Sequence, residues 1–260
     1  MKITEITSCY LGPQISPEQF VPEHIFIFLL KGRMNGYDGT KHTKIGPGEC
    51  CIVRKNRLAR YNKQKDQNDF EKVVVILDEE FLKKYQKKYA LSSSEYFVSD
   101  IFIPLESSPS VINFIQEQLP AYESQETTLQ RTDEIREKFL QVLLDVYPEL
   151  VNLFFDFGKP GRIDLEAYMQ KHYKFNVSLE RLAYLTGRSL SAFKRDFKAI
   201  FRQTPNRWLV QRRLQEAHFL IEKEKKISNE IYLDLGFEDL SHFSFAFKRH
   251  FGYNATELAG

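Results

Sequence analysis

Cysteine is scarce in this 260-residue sequence, which has only Cys9, Cys50 and Cys51. An odd count with an adjacent pair makes a poor disulfide framework and fits a reducing cytoplasm. Long apolar runs are missing too. The longest, Ile25–Leu30, is far too short to span a bilayer, so no membrane association is expected. Met1–Tyr10 carries one lysine among alternating polar residues and lacks the apolar centre of a signal peptide. Clustered metal ligands are also absent: His24, His42 and Glu49 are available, but no two histidines stand one residue apart. Cys50 and Cys51, adjacent on a half-buried strand, would point to opposite faces and could not share a metal. With no nucleophile-base arrangement and no phosphate-binding glycine loop, neither enzymatic activity nor a cofactor is expected.

Net charge is also close to absent, with 37 Lys+Arg against 35 Asp+Glu, or +2. Cutting the chain at the turn signal Lys159-Pro160-Gly161 shows what that total hides. Residues 1–160 hold 20 basic against 23 acidic residues, −3; residues 161–260 hold 17 against 12, +5. A cationic C-terminal part beside an acidic N-terminal part points to a polyanionic partner for the former. The length suits two domains, and 42% hydrophobic with 28% charged residues is the composition of a chain with a real core.

From Phe20 to Pro104 the pattern is one of short strands and tight turns, which reads as an antiparallel sandwich or small barrel. Ile25–Leu30, Cys50–Val53 and Val73–Leu77 read as strands; Gly36-Tyr37-Asp38-Gly39 and Ile45-Gly46-Pro47-Gly48 read as turns. Beyond Pro104 the period becomes helical. Ile135, Phe139, Val142, Leu143 and Val146 form one apolar stripe, with Arg131, Glu134, Arg136, Glu137 and Lys138 mostly outside it. That stripe either packs on its own domain or forms a dimerisation face.

The C-terminal hundred residues contain an internal repeat. Phe193, Phe197, Lys198 and Phe201 recur fifty positions later as Phe243, Phe247, Lys248 and Phe251, and Ser191 recurs as Ser241. Each copy follows a short helical segment and a glycine, Gly187 or Gly236, which is the helix-turn-helix order. In the first copy Ser189 is an N-cap and Leu190, Phe193 and Phe197 bury one face. The other face carries Ser191, Lys194, Arg195 and Lys198, side chains suited to guanine edges and phosphates in a major groove. In the second copy Ser241, His242, Ser244, Phe245, Lys248 and His250 lie on or beside the accessible face. Lys248 and Arg249, near the helix end, favour phosphates. Thr204-Pro205 starts a connecting helix running to about Ile221.

The segments Ser178–Ala183, Phe193–Lys198, Thr204-Pro205, Arg213–Ala217, Leu235-Gly236-Phe237 and Ser241–Lys248 resemble the AraC/XylS family of bacterial transcription regulators over about residues 165–258. The N-terminal half, with Gly46-Pro47-Gly48-Glu49 in a strand-rich segment, resembles the family's cupin-like sensor barrels, in the layout of the type III secretion activator branch. The resemblance implies an α+β two-domain chain. Residues 1–104 would form a cupin-like antiparallel β-barrel with flanking helices, 105–160 a helical dimerisation and linker region, and 161–260 an all-α domain of two helix-turn-helix motifs joined by a long helix.

It further implies a cytoplasmic regulator, generally an activator, that binds double-stranded promoter DNA and recruits RNA polymerase as a homodimer, under control of a small-molecule or protein effector. By position, the family's base-reading sites fall on Ser191, Lys194 and Arg195, and on Leu240, Ser241 and Phe245, with His242 beside them. Lys198, Arg202, Ser244, Lys248 and Arg249 fall on phosphates. The rival readings are a ligand-sensing regulator with a small molecule inside the barrel and a metal-dependent barrel enzyme. Arg202 stands where the family usually has Gly, Tyr232 where a small residue is usual, Ser228 where an aliphatic is usual and Ala255 where Pro is usual.

Overall fold

His24–Lys31 is apolar on both sides, so it must be covered on both. In the computed structural model, which describes residues 7–11, 19–66, 69–93, 100–123 and 129–259, this segment is the central strand of the larger sheet. Met1–Ile6 lie outside the described residues. The strands are β1 (Thr7–Leu11), β2 (Phe20–Val21), β3 (His24–Lys31), β4 (Arg33–Tyr37), β5 (His42–Ile45), β6 (Cys50–Val53), β7 (Arg57–Leu58), β8 (Arg60–Gln64), β9 (Glu71–Leu77) and β10 (Phe102–Leu105). The helices are α1 (Glu79–Tyr89), α2 (Pro109–Glu123), α3 (Leu129–Val146), α4 (Leu150–Phe154), α5 (Leu165–His172), α6 (Leu179–Leu185), α7 (Leu190–Phe201), α8 (Pro205–Glu222), α9 (Ser228–Ile231), α10 (Leu240–Phe251) and α11 (Ala255–Ala259). The chain forms two compact units, with Val21–Gly158 in the first and Lys159 onward, together with Phe20, in the second. Among the described residues no helix is long and apolar enough to cross a membrane.

The first unit is a two-layer sandwich with helices on one side. Its five-stranded sheet has the order β1-β9-β3-β6-β10, and a three-stranded sheet has the order β5-β4-β8. Of the two arrangements expected, the described strands take the sandwich, in separate sheets that do not close into a barrel, and β1 runs parallel to β9, so the larger sheet is mixed rather than wholly antiparallel. Period-two alternation sorts the side chains. Ile25, Ile27, Leu29, Cys51, Val53, Val74 and Ile76 join Met34 and Ile45 in one core, between the sheets. Phe26, Phe28, Cys50, Ile52, Val73, Val75 and Leu77 join the helices in the other. Cys50 and Cys51 therefore do face opposite ways, but on a strand buried on both faces. Burial pushes both thiols up to about 12.

The helices after Pro104 are part of this unit. Ile135, Phe139 and Leu143 of α3 are buried, and the Phe139 ring meets Phe26 at 4.8 Å and Phe114 at 5.9 Å. Val142 and Val146 pack partly buried on the same core. The α3 stripe thus covers its own sheet, and Phe139 is not available as a dimerisation face. Arg136, outside the apolar stripe, is buried too: it pairs with Asp78 and with Asp133, and its guanidinium lies 4.1 Å over the Phe81 ring. Asp78 also caps α1 by accepting from the Phe81 amide at 2.9 Å. Helix α1 falls in a stretch whose pattern reads as strands, although Asp78 followed by Glu79, Glu80 and the apolar Phe81, Leu82 and Tyr85 is an N-terminal signature. The turn expected at Gly36–Gly39 begins two residues later, where Asp38 accepts from the Thr40 and Lys41 amides at 2.8 Å.

The second unit is helical. Helix α8 is its shared support, starting at Thr204 with Pro205 in the first turn and spanning about 27 Å at ~1.5 Å per residue. Near its start Trp208 packs against Phe197 at 5.6 Å and Phe201 at 4.6 Å. Near its end His218 packs against Phe251 at 4.8 Å and Phe247 at 6.3 Å. Midway, the buried Arg213 donates to the carbonyls of Tyr173 at 2.7 Å, Phe175 at 2.8 Å and Gly236 at 2.8 Å. Burial lowers its pKa to about 10, so it stays charged at neutral pH and can satisfy all three.

Candidate nucleic-acid interface

Ser189 and Asp239 stand fifty residues apart and start twelve-residue helices in the same way. The Ser189 hydroxyl accepts from the Ala192 amide at 3.3 Å, and the Asp239 carboxylate from the His242 amide at 2.6 Å. Each satisfies a backbone donor that the first turn leaves open. The helices also end alike, at Arg202 and Gly252, both left-handed. Inside, Phe193 and Phe197 lie 5.7 Å apart and Phe243 and Phe247 5.8 Å apart, all four buried.

Glycine is required in the turns before these helices. Gly187 and Gly236 have φ of +66° and +85°. A Cβ at Gly187 would stand 2.5 Å from the Gly161 carbonyl, and one at Gly236 2.6 Å from the Lys174 carbonyl. The second motif departs from the first in its leading helix, where α9 has four residues and Tyr232–Gly236 continue as turns. Tyr232, in place of a small residue, packs partly buried on the motif's core.

Ser191, Lys194, Arg195, Lys198 and Arg202 are all exposed and recur at i, i+3, i+4, i+7 and i+11, on one face of α7 and its end. On α10, Ser241, Ser244, Phe245 and Lys248 make the corresponding exposed line; Leu240 lies at its start, and His242 and Arg249 flank it. His242 sets its ring edge-on to Phe237 at 5.8 Å, beside the turn. Phe245 is 65% exposed, far more than an aromatic ring needs for packing. The two faces differ in chemistry: α7 presents three cations, two of them in its middle, whereas the α10 face has Leu240 and Phe245 with its cations in the last turn.

Sequence reasoning missed the arginine cluster around Asp196. Asp196 Oδ2 accepts from Arg162 at 2.8 Å and Arg188 at 3.2 Å, and Oδ1 accepts from Arg195 at 3.0 and 3.2 Å. The hydrogen bond from Arg188 is the first of the effects that hold the Asp196 carboxyl below its usual pKa. Adjacency of Arg195 and Asp196 was the only local hint, since Arg162 and Arg188 arrive by folding. Elsewhere, among the described residues, no three His, Cys, Asp or Glu side chains are grouped as a metal site would need. His24 lies in β3 and His42 in β5, on different sheets.

Two capped helices with buried phenylalanine stripes and exposed polar faces, each behind a glycine turn, define a double helix-turn-helix protein. A family model described as a helix-turn-helix domain matches residues 182–259, and one described as the ExsA N-terminal regulatory domain matches residues 24–147. In both parts the chain is therefore similar to the AraC/XylS family of bacterial transcription regulators. It is 23% identical to the HTH-type transcriptional regulator ExsA of Pseudomonas aeruginosa over 253 residues, 95% of this chain and 90% of that protein. It is 30% identical to the virulence regulon transcriptional activator VirF of Yersinia enterocolitica over 93 residues, 36% of this chain and 34% of VirF. Among solved structures, an apo form of a ToxT single-residue variant from Vibrio cholerae aligns over 93% of this chain and 90% of its own, at 12% identity and a TM-score of 0.45. The DNA-binding domain of AdpA, solved with a target DNA, aligns over 36% of this chain and 86% of its own, at 23% identity and a TM-score of 0.35.

Proposed function

We propose that this chain is a sequence-specific transcription activator that reads promoter DNA with α7 and α10 in two successive major grooves, about 34 Å apart. The observation that carries the reading is the repeated helix, with the same length, caps and phenylalanine stripe, and an exposed face left for a partner in a unit of net charge +5. Ser191, Lys194 and Arg195 read bases in the first motif. Leu240, Ser241, His242 and Phe245 lie against bases in the second, where apolar side chains recognise thymine methyl groups and leave guanine edges unread. Lys198, Arg202, Ser244, Lys248 and Arg249 hold phosphates. Most of the sequence preference then belongs to the first motif.

The first unit regulates the second. It works in the cytoplasm, as a homodimer that recruits RNA polymerase and answers to an effector. Ile27, Leu29, Met34, Ile45, Val74 and Phe102 form an apolar core between the sheets, which supports a protein effector over an enclosed small molecule that would need polar groups to hold it. Burial of Ile135, Phe139 and Leu143 in their own core favours another surface for the dimer.

The test is Arg195→Ala against duplexes varied one base pair at a time. Loss of a bidentate guanine contact is expected to cost about 1–3 kcal/mol and to relax preference at one position. Equal weakening on every duplex would make Arg195 a phosphate anchor.

A further inference from the structure

A carboxylate close to the DNA-facing side of a cationic helix is a liability, because phosphates repel it. Asp196 flanks that face, only partly exposed, next to the residue assigned to read a base, and its surroundings show what it does. Its side chain is only 16% exposed, and both oxygens are taken up by three guanidinium groups. The inner brace is Arg188, 8% exposed, whose Nη1 also donates to the carbonyls of Thr186 at 2.7 Å and Ile163 at 2.9 Å. Asp196 is therefore anchored from behind, to the turn of the motif and to the segment entering the unit. Arg195, 73% exposed, is held from one side only: its Nε and Nη2 donate to Asp196 Oδ1.

The guanidinium is planar, so this fixes more than position. With Nε and one Nη2 proton engaged, the edge formed by Nη1 and Nη2 remains open and points away from the carboxylate. That edge carries two parallel donors, the arrangement that pairs bidentately with guanine O6 and N7. An unrestrained arginine would lose most of its side-chain freedom on binding, and prior restraint removes part of that cost. Asp196 is not placed to read a cytosine amine directly, because neither oxygen is left facing solvent without an arginine on it.

We propose that Asp196 is a positioning residue for sequence reading: braced by Arg188 and Arg162, it presents the outer edge of Arg195 to one guanine. The inference rests on the proposal that Arg195 reads a base.

The full-length protein is first used to select a preferred duplex from a random double-stranded pool. Binding to that duplex, to its single-base variants and to an unrelated duplex is then measured for Arg195→Ala, Asp196→Asn and the double variant. Asp196→Asn is expected to bind the unrelated duplex at least as well as the wild type, since a repulsive charge is gone. Its preference should fall at least about five-fold at the one base pair where Arg195→Ala also loses it. The double variant should lose nothing more at that position, and Asp196→Glu should recover part of the preference. Uniformly tighter binding by Asp196→Asn with every preference intact would overturn the proposal while leaving base reading by Arg195 in place. No change of preference in Arg195→Ala would overturn both. Should Asp196→Asn fail to fold, the wild type still decides: the Arg195 Nε–H resonance should show restricted rotation in the DNA-free protein, and free rotation would refute the brace.

Discussion

Arg202 ends α7 with φ 57° and ψ 18°, in the left-handed region, where Gly252 ends α10. A side chain there costs about 1–2 kcal/mol that glycine avoids. The arginine is exposed beside Lys198, where its charge meets a phosphate in the proposed complex. Arg202→Gly is therefore expected to raise the thermal midpoint of the second unit while weakening binding to all duplexes alike; a stable variant with unchanged affinity would remove Arg202 from the interface. In the first unit His24 is fully buried, and its pKa lies well below normal, chiefly through burial and then through the charges of Lys55, Arg54 and Arg57. Its Nδ1 accepts from the Lys55 amide at 3.4 Å, so the folded state holds it neutral. Below about pH 6.5 the unfolded chain takes up a proton that the folded chain refuses, so stability should fall as pH drops below that value. Denaturant melts from pH 7 to 5 should show this loss, and His24→Gln should reduce it.

Helix α3 shows how an element can be legible in type and illegible in use. Its apolar stripe is plain in the sequence, yet the same stripe would suit a partner chain or its own sheet. The tertiary structure puts Phe139 between Phe26 and Phe114. Phe139→Ala is accordingly expected to cost the first unit about 3–5 kcal/mol, as large-to-small changes in a packed core do. A monomer with undiminished stability would instead return the residue to an interface. The repeated helices are readable almost to the residue, because Ser189, Asp239 and the phenylalanine spacing act within a few positions. Helix α1 carries equally local signals but lies within a run of strands.

At the scale of the molecule, charge is partitioned and so is function. The cations proposed for phosphates, Lys198, Arg202, Lys248 and Arg249, are four exposed groups on two helices of one unit. Each phosphate neutralised contributes about −0.9 to the slope of log K against log salt, so a slope of about −3 to −4 is expected. Lys248→Ala should flatten it by about one while leaving base preferences unchanged. A salt-independent affinity would remove the electrostatic account.

The sequence by itself determined the two-part division, the helix-turn-helix repeat with its caps and glycine turns, and the faces of α7 and α10 that stay outside. These follow from periodicity and capping, which act over one or two turns. Only the tertiary structure decided that the strands form separate sheets and that α3 spends its apolar face on the largest one. It alone buried Arg136 against Asp78 and brought Arg162 to Asp196. Those outcomes depend on which distant segments meet, and pairing between residues tens of positions apart leaves no period in the chain to read.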